Sequence, residues 1–195
     1  MARIEIDNQA GIIARVRNSL NSMFTEIYET ISGTEEKHMD FSVLLPGATP
    51  PALVAFGDYY YYVFDVGEDV HIHFDIPHDW DGTSNFQIEV AWAINEAYAA
   101  SSGEVQWRAD WSATPVGESF VAPAHTGQLD SGDINIPAVA ITRIDSEIGS
   151  IPGASLVIDD CVGIRVSRIA IDAGANPVQD PAIACIHIHY YKNKP

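Results

Sequence analysis

A chain of 195 residues, 47% of them apolar, is long enough for one large domain, or a domain with an appendage, around a substantial core. Its net charge of −17 is spread along the chain, and its 10 basic residues are too scattered to build the positive footprint that phosphates require. Nucleic acid and anionic membrane surfaces are therefore not expected as partners, and without a run near the ~20 apolar residues of a spanning helix, or a signal-like stretch in Met1–Asp7, a soluble chain unprocessed at its start is expected.

Residues 9 to 32 differ from everything after them. Ile13, Val16, Leu20, Met23 and Ile27 fall three and four apart, with Ile12, Phe24, Tyr28 and Ile31 widening the stripe, which is the period of an amphipathic helix. Asp7 or Asn8 can cap its start and Gly33 can end it. The stripe suits packing on its own domain as well as self-association or docking, since fewer than four heptads are present. Segment 1–33 is accordingly separated from a body over 34–195.

After a polar link, Thr34 to His38, the chain reads as strands. Candidates are Phe41 to Leu45, Tyr59 to Val66, Val70 to Ile76, Phe86 to Ile94, Val105 to Trp111, Ile134 to Ile144, Val162 to Ile171 and Ile183 to Tyr191, most separated by Gly, Pro, Asp, Asn or Ser. Several connections are much longer than hairpins. A mainly β fold is expected, an antiparallel jelly-roll β-sandwich preceded by an N-terminal α-helix, and pairing of the first and last strands would set two histidine-bearing faces side by side.

Those faces come from Val70-His71-Ile72-His73-Phe74 and Ile186-His187-Ile188-His189-Tyr190, in which alternation puts the aliphatic side chains on one face and His71, His73, His187 and His189 on the other. Two imidazoles two apart on a strand can converge on one metal ion, as in cupin enzymes. A cupin site also needs a glutamate a few residues on, and here only Asp75 or His78 stands near. Four neutral imidazoles would fill a coordination shell and leave no position for chemistry. The residues thus favour a polar contact over catalysis, with a structural metal as the alternative.

The remaining constellations are weaker. Tyr59 to Tyr62 alternate across a strand, half for the core and half for an interface or ligand surface. Trp92, Trp107 and Trp111 read as core, and Trp80, between Asp79 and Asp81, reads as packing, with stacking on a sugar as the sharper possibility. Asp79, Asp81, Asp159 and Asp160 lack EF-hand spacing and read as solvated turns. Cys161 and Cys185 have no CxxC spacing and read as buried free thiols. No GxSxG element is present.

Ala14-Arg15-Val16-Arg17-Asn18-Ser19-Leu20-Asn21-Ser22-Met23-Phe24-Thr25-Glu26-Ile27-Tyr28 resembles the LNxxFTELY segment that opens many tailed-bacteriophage fibre and virion proteins. The rest is similar to phage virion proteins with a jelly-roll body, matched here by His71 and His73, by Val105-Gln106-Trp107, by Arg165-Val166-Ser167-Arg168 and by His187-Ile188-His189-Tyr190-Tyr191-Lys192. The match is loose between Asp110 and Asp160. The resemblance implies a non-enzymatic structural component of a phage particle, a head decoration, head fibre, collar knob or tail-fibre module localised to the virion. It implies a homotrimer in contact with other virion proteins and no cofactor or catalytic residue. The helix residues Ile13, Val16, Leu20, Met23 and Ile27 would attach or oligomerise it, and the four strand histidines would lie between subunits. A fibre tip that recognises host carbohydrate is the alternative, and a cupin-like metalloenzyme comes after it.

Overall fold

The computed structural model describes Leu20, residues 34–101 and residues 103–193. The described residues form β1 (Thr34–Phe41), β2 (Leu45–Pro46), β3 (Ala52–Phe56), β4 (Tyr59–Val63), β5 (Asp69–Asp75), β6 (Phe86–Ile94), β7 (Glu104–Thr114), β8 (His125–Asp130), β9 (Ile134–Asn135), β10 (Ile144–Ile151), β11 (Cys161–Ile169) and β12 (Pro181–Asn193), with one helical turn at Tyr98–Ser101. Every ladder between these strands is antiparallel.

Two sheets result. In the first, β10, β6 and β12 lie side by side, and β12 continues to β1 along its C-terminal half and to the β4–β3 hairpin along its N-terminal part. In the second, the order is β2-β5-β11-β7-β8, with β9 also on β7. Leaving out the hairpin and the short strands, the sets are β1-β12-β6-β10 and β5-β11-β7-β8, and every connection but β7 to β8 crosses between sheets. That is the strand order of a jelly roll.

Alternation explains the core. Val70, Ile72 and Phe74 of β5, Phe86, Ile88, Val90, Trp92 and Ile94 of β6, Trp107 and Trp111 of β7, Val162, Ile164 and Val166 of β11, and Ile186, Ile188 and Tyr190 of β12 are all buried between the sheets. Trp92 and Trp107 meet edge to face across the centre, 6.2 Å between ring centroids.

Four sequence expectations change. The polar stretch from Thr34 is the edge strand β1, and no single strand spans Phe41 to Leu45. Met39 and Phe41 pack against the core, while the charges lie on an edge where water reaches them and Lys37 pairs with Glu35 at 2.6 Å. Of Ile134 to Ile144 only Ile134–Asn135 is a strand, because Pro137 interrupts the run without an N–H to donate. The main strands in this part of the chain are polar β8, where Gly127 lies against the Trp111 indole, and β10, neither of which is among the strands expected from sequence. Finally, β12 pairs with β1 and not with β5, so the two histidine strands belong to different sheets. The helix expected over 9–32, with Ile13, Val16, Met23 and Ile27, lies outside the described residues, and Leu20 is exposed.

Candidate functional site

On β5, His71, His73 and Asp75 point to solvent, as alternation requires. His71 Nε2 stands 3.1 Å from Oδ2 of the buried Asp69. Its neighbour on β11 is Arg165, which donates to Asp110 at 2.6 Å, while His73 lies opposite Gly163, which has no side chain to offer. Burial pushes the Asp110 carboxyl up, but donors from Arg165 and Gln128 outweigh it and hold it below the usual carboxylate range.

The β12 histidines lie on the outer face of the other sheet. There the register sets His187 between Asp40 of β1 and Glu89 of β6, and His189 between His38 and Gln87. Glu89 Oε1 is 3.2 Å from His187 Nδ1 and 3.8 Å from His189 Nε2. Behind them, His187 Nε2 meets Cys185 Sγ at 2.9 Å and Asp40 Oδ1 at 3.6 Å, and His189 Nδ1 meets Glu36 Oε1 at 3.1 Å. One ligand atom each from Glu89, His187 and His189 lies within 4.8 Å of the other two, and among the described residues no other group of three could hold a metal ion. His71 and His73 are on the opposite side of the sandwich, so the four histidines do not meet within one chain.

Beside this face the β3–β4 hairpin extends the sheet. Its two faces carry Leu53, Tyr60 and Tyr62 on one side and Val54, Phe56, Tyr59 and Tyr61 on the other. Neither is fully covered: Leu53, Val54, Tyr59 and Tyr60 are 57, 40, 65 and 71% exposed. Tyr59 stacks on Tyr61 at 5.9 Å, and with Phe56, Ala93, Ile141 and Arg143 they line a groove of about 590 Å³. Arg143 holds Asp145 at 2.9 Å at the groove's edge toward Cys185.

Other expected groups resolve locally. Trp80 is buried, and its indole N–H donates to Ser84 O and Oγ, so it offers no stacking face to a sugar. Asp81 accepts the N–H groups of Thr83 and Ser84, a turn in which burial raises its pKa less than these donors lower it. Cys161 and Cys185 are free thiols but half-buried, because each sits on an outward strand position at a sheet face. Arg168 is a residue that strand patterning does not single out: it is 2% exposed and donates to Phe64 O at 2.8 Å and Asp180 Oδ1 at 2.6 Å. Glu89 is the other such residue, since nothing in Phe86 to Ile94 marks one polar position as the neighbour of a histidine 98 residues away.

No family model matches the chain, and no curated protein matches it by sequence. Among solved structures it is similar to the carbohydrate-binding module CBM36 in complex with calcium and xylotriose, at 14% identity over 78% of this chain and 98% of that one, with a TM-score of 0.41. It is also similar to the CBM36-1 domain of a multidomain xylanase from the hindgut metagenome of Trinervitermes trinervoides, at 9% identity over 79% of this chain and 96% of that one, TM-score 0.42. A third likeness is to a chain of infectious bursal disease virus, Gx strain, at 11% identity over 83% of this chain and 32% of that one, TM-score 0.39. No ligand or role passes to this chain at such scores, and the jelly-roll assignment rests on its own strand order.

Proposed function

We propose that the protein is a non-enzymatic structural component of a bacteriophage particle, a head decoration, head fibre or collar or tail knob that assembles with further copies of itself as a homotrimer. The observation that carries this reading is the β3–β4 hairpin. Residues 42–64 contain Asp58 as their one charged side chain in a chain of net charge −17, so this is where copies approach without repulsion. The same segment exposes Leu53 and Tyr60 on one face and Val54 and Tyr59 on the other, apolar surface that marks a contact area. The phage-like sequence at Ala14 to Tyr28 supports the choice of particle. Leu53→Glu combined with Tyr60→Glu is expected to reduce the wild-type mass in light scattering to that of one chain, with the far-ultraviolet circular dichroism of the body unchanged. A wild-type monomer, or a double variant that stays assembled, would remove the hairpin as the contact. Immunogold labelling of purified particles with an antibody to the body tests the location, and unlabelled particles would reject it.

A carbohydrate-recognising fibre tip is the second reading, favoured by the stacked Tyr59 and Tyr61 on the wall of the groove. Binding on a glycan array that Tyr59→Ala abolishes would move the assignment there.

A further inference from the structure

We propose that Glu89, His187 and His189 bind one divalent transition-metal ion on the outer face of the β1-β12-β6-β10 sheet. Donors to a zinc-like ion sit at ~2.0–2.1 Å, which places tetrahedral neighbours roughly 3.3 Å apart. Glu89 Oε1 stands 3.2 Å from His187 Nδ1 and 3.8 Å from His189 Nε2. All three donor atoms lie within 4.8 Å of one another.

A second observation is independent of that spacing. His189 Nε2 is buried and has no hydrogen-bond partner. Its other nitrogen faces Glu36 Oε1 at 3.1 Å, and a carboxylate there accepts Nδ1–H, which leaves the Nε2 lone pair pointing toward Glu89. A lone pair and a carboxylate oxygen 3.8 Å apart, too far for a hydrogen bond, is an arrangement that a cation between them relieves. His187 differs in that its Nδ1 already stands 3.2 Å from Glu89 Oε1, within hydrogen-bond distance; with its ring proton on Nε2, toward Cys185 Sγ at 2.9 Å, the Nδ1 lone pair is offered to an ion instead. A carboxylate behind a ligating imidazole fixes the tautomer and strengthens the donor, and here Glu36 stands behind one ring and Asp40 behind the other.

The donor set selects the metal. Two imidazoles and one carboxylate suit zinc or ferrous iron rather than calcium or magnesium, which take oxygen. Three protein ligands leave a position for water or for a group from a neighbouring molecule. The histidines of β5 provide the internal contrast: among the described residues His71 pairs with Asp69, and His73 lies opposite Gly163.

The full chain, stripped with chelator and titrated with zinc against a chromophoric competitor, is expected to bind one ion per chain. Glu89→Gln and His189→Ala should each weaken binding about 100-fold, and Glu36→Gln, acting through His189, about 10-fold, while His71→Ala and His73→Ala change nothing. Nitrogen NMR of the wild type needs no variant: zinc should shift His189 Nε2 and His187 Nδ1 and leave His71 in place. Absence of saturable binding at one ion per chain overturns the site. So does binding that survives Glu89→Gln and His189→Ala, or zinc-dependent shifts confined to β5.

Discussion

Arg168 places a charged group in the core. Its guanidinium is taken out of water at 2% exposure, and Asp180 and Phe64 O compensate for it. Asp180→Ala leaves that charge without its counter-ion, and because Asp180 is itself half exposed the expected cost is about 2 kcal/mol, read as a lower urea midpoint at unchanged slope. Cys185 makes a different point. Burial pushes its thiol up, Arg143 pulling the other way with less effect, and burial likewise raises Cys161 and, with Asp79, the Tyr190 hydroxyl. A raised pKa means the folded state keeps its proton longer, so these groups add stability that is complete below their unfolded values and is lost as pH rises past them. Thermal midpoints should therefore fall above about pH 8.5, and alkylation of Cys185 at pH 7 should be slower in the folded than in the urea-unfolded protein. The outward placing of His187 and His189 was legible from alternation, but Arg168 was not, since a lone arginine in a strand pattern carries no sign of which core end it will plug.

Among the elements, β8 and the hairpin escape sequence patterning for opposite reasons. The strand β8, His125–Asp130, has almost no apolar residues and is held by what it lies against. A Cβ on Gly127 would stand 2.5 Å from Trp111 Nε1, so Gly127→Ala must move the indole or the strand. A loss of roughly 1–3 kcal/mol is expected, visible as a reduced melting temperature together with a changed tryptophan spectrum. The β3–β4 hairpin is conspicuous in sequence through Tyr59 to Tyr62, yet alternation predicts one buried face and the hairpin has none. It meets β12 only at Ala182 and Ile183, β1 pairing from Ile186 onward, and of its four tyrosines only Tyr62 packs against the core. The strand Phe86–Ile94 shows the case in which pattern and fold agree at both ends, because inner residues and turn signals coincide there.

For the whole molecule, the core of the described residues is built largely from side chains of β5, β6, β7, β11 and β12 between the two sheets. Deleting residues 1–33 should leave a body with the same cooperative melt, but one that no longer enters particles if that segment is the anchor. Normal incorporation would show that it is not. Sequence by itself determined the mainly β class, the inner and outer residues of most strands and the sites of most turns, because side-chain alternation is local stereochemistry. Tertiary structure decided which strands are neighbours. It separated the two histidine strands onto opposite faces of the sandwich, turned the polar segment after Thr34 into the partner of β12, and brought Glu89 and Glu36 to His187 and His189. Strand order depends on contacts between distant residues, and no period within a strand encodes its neighbour.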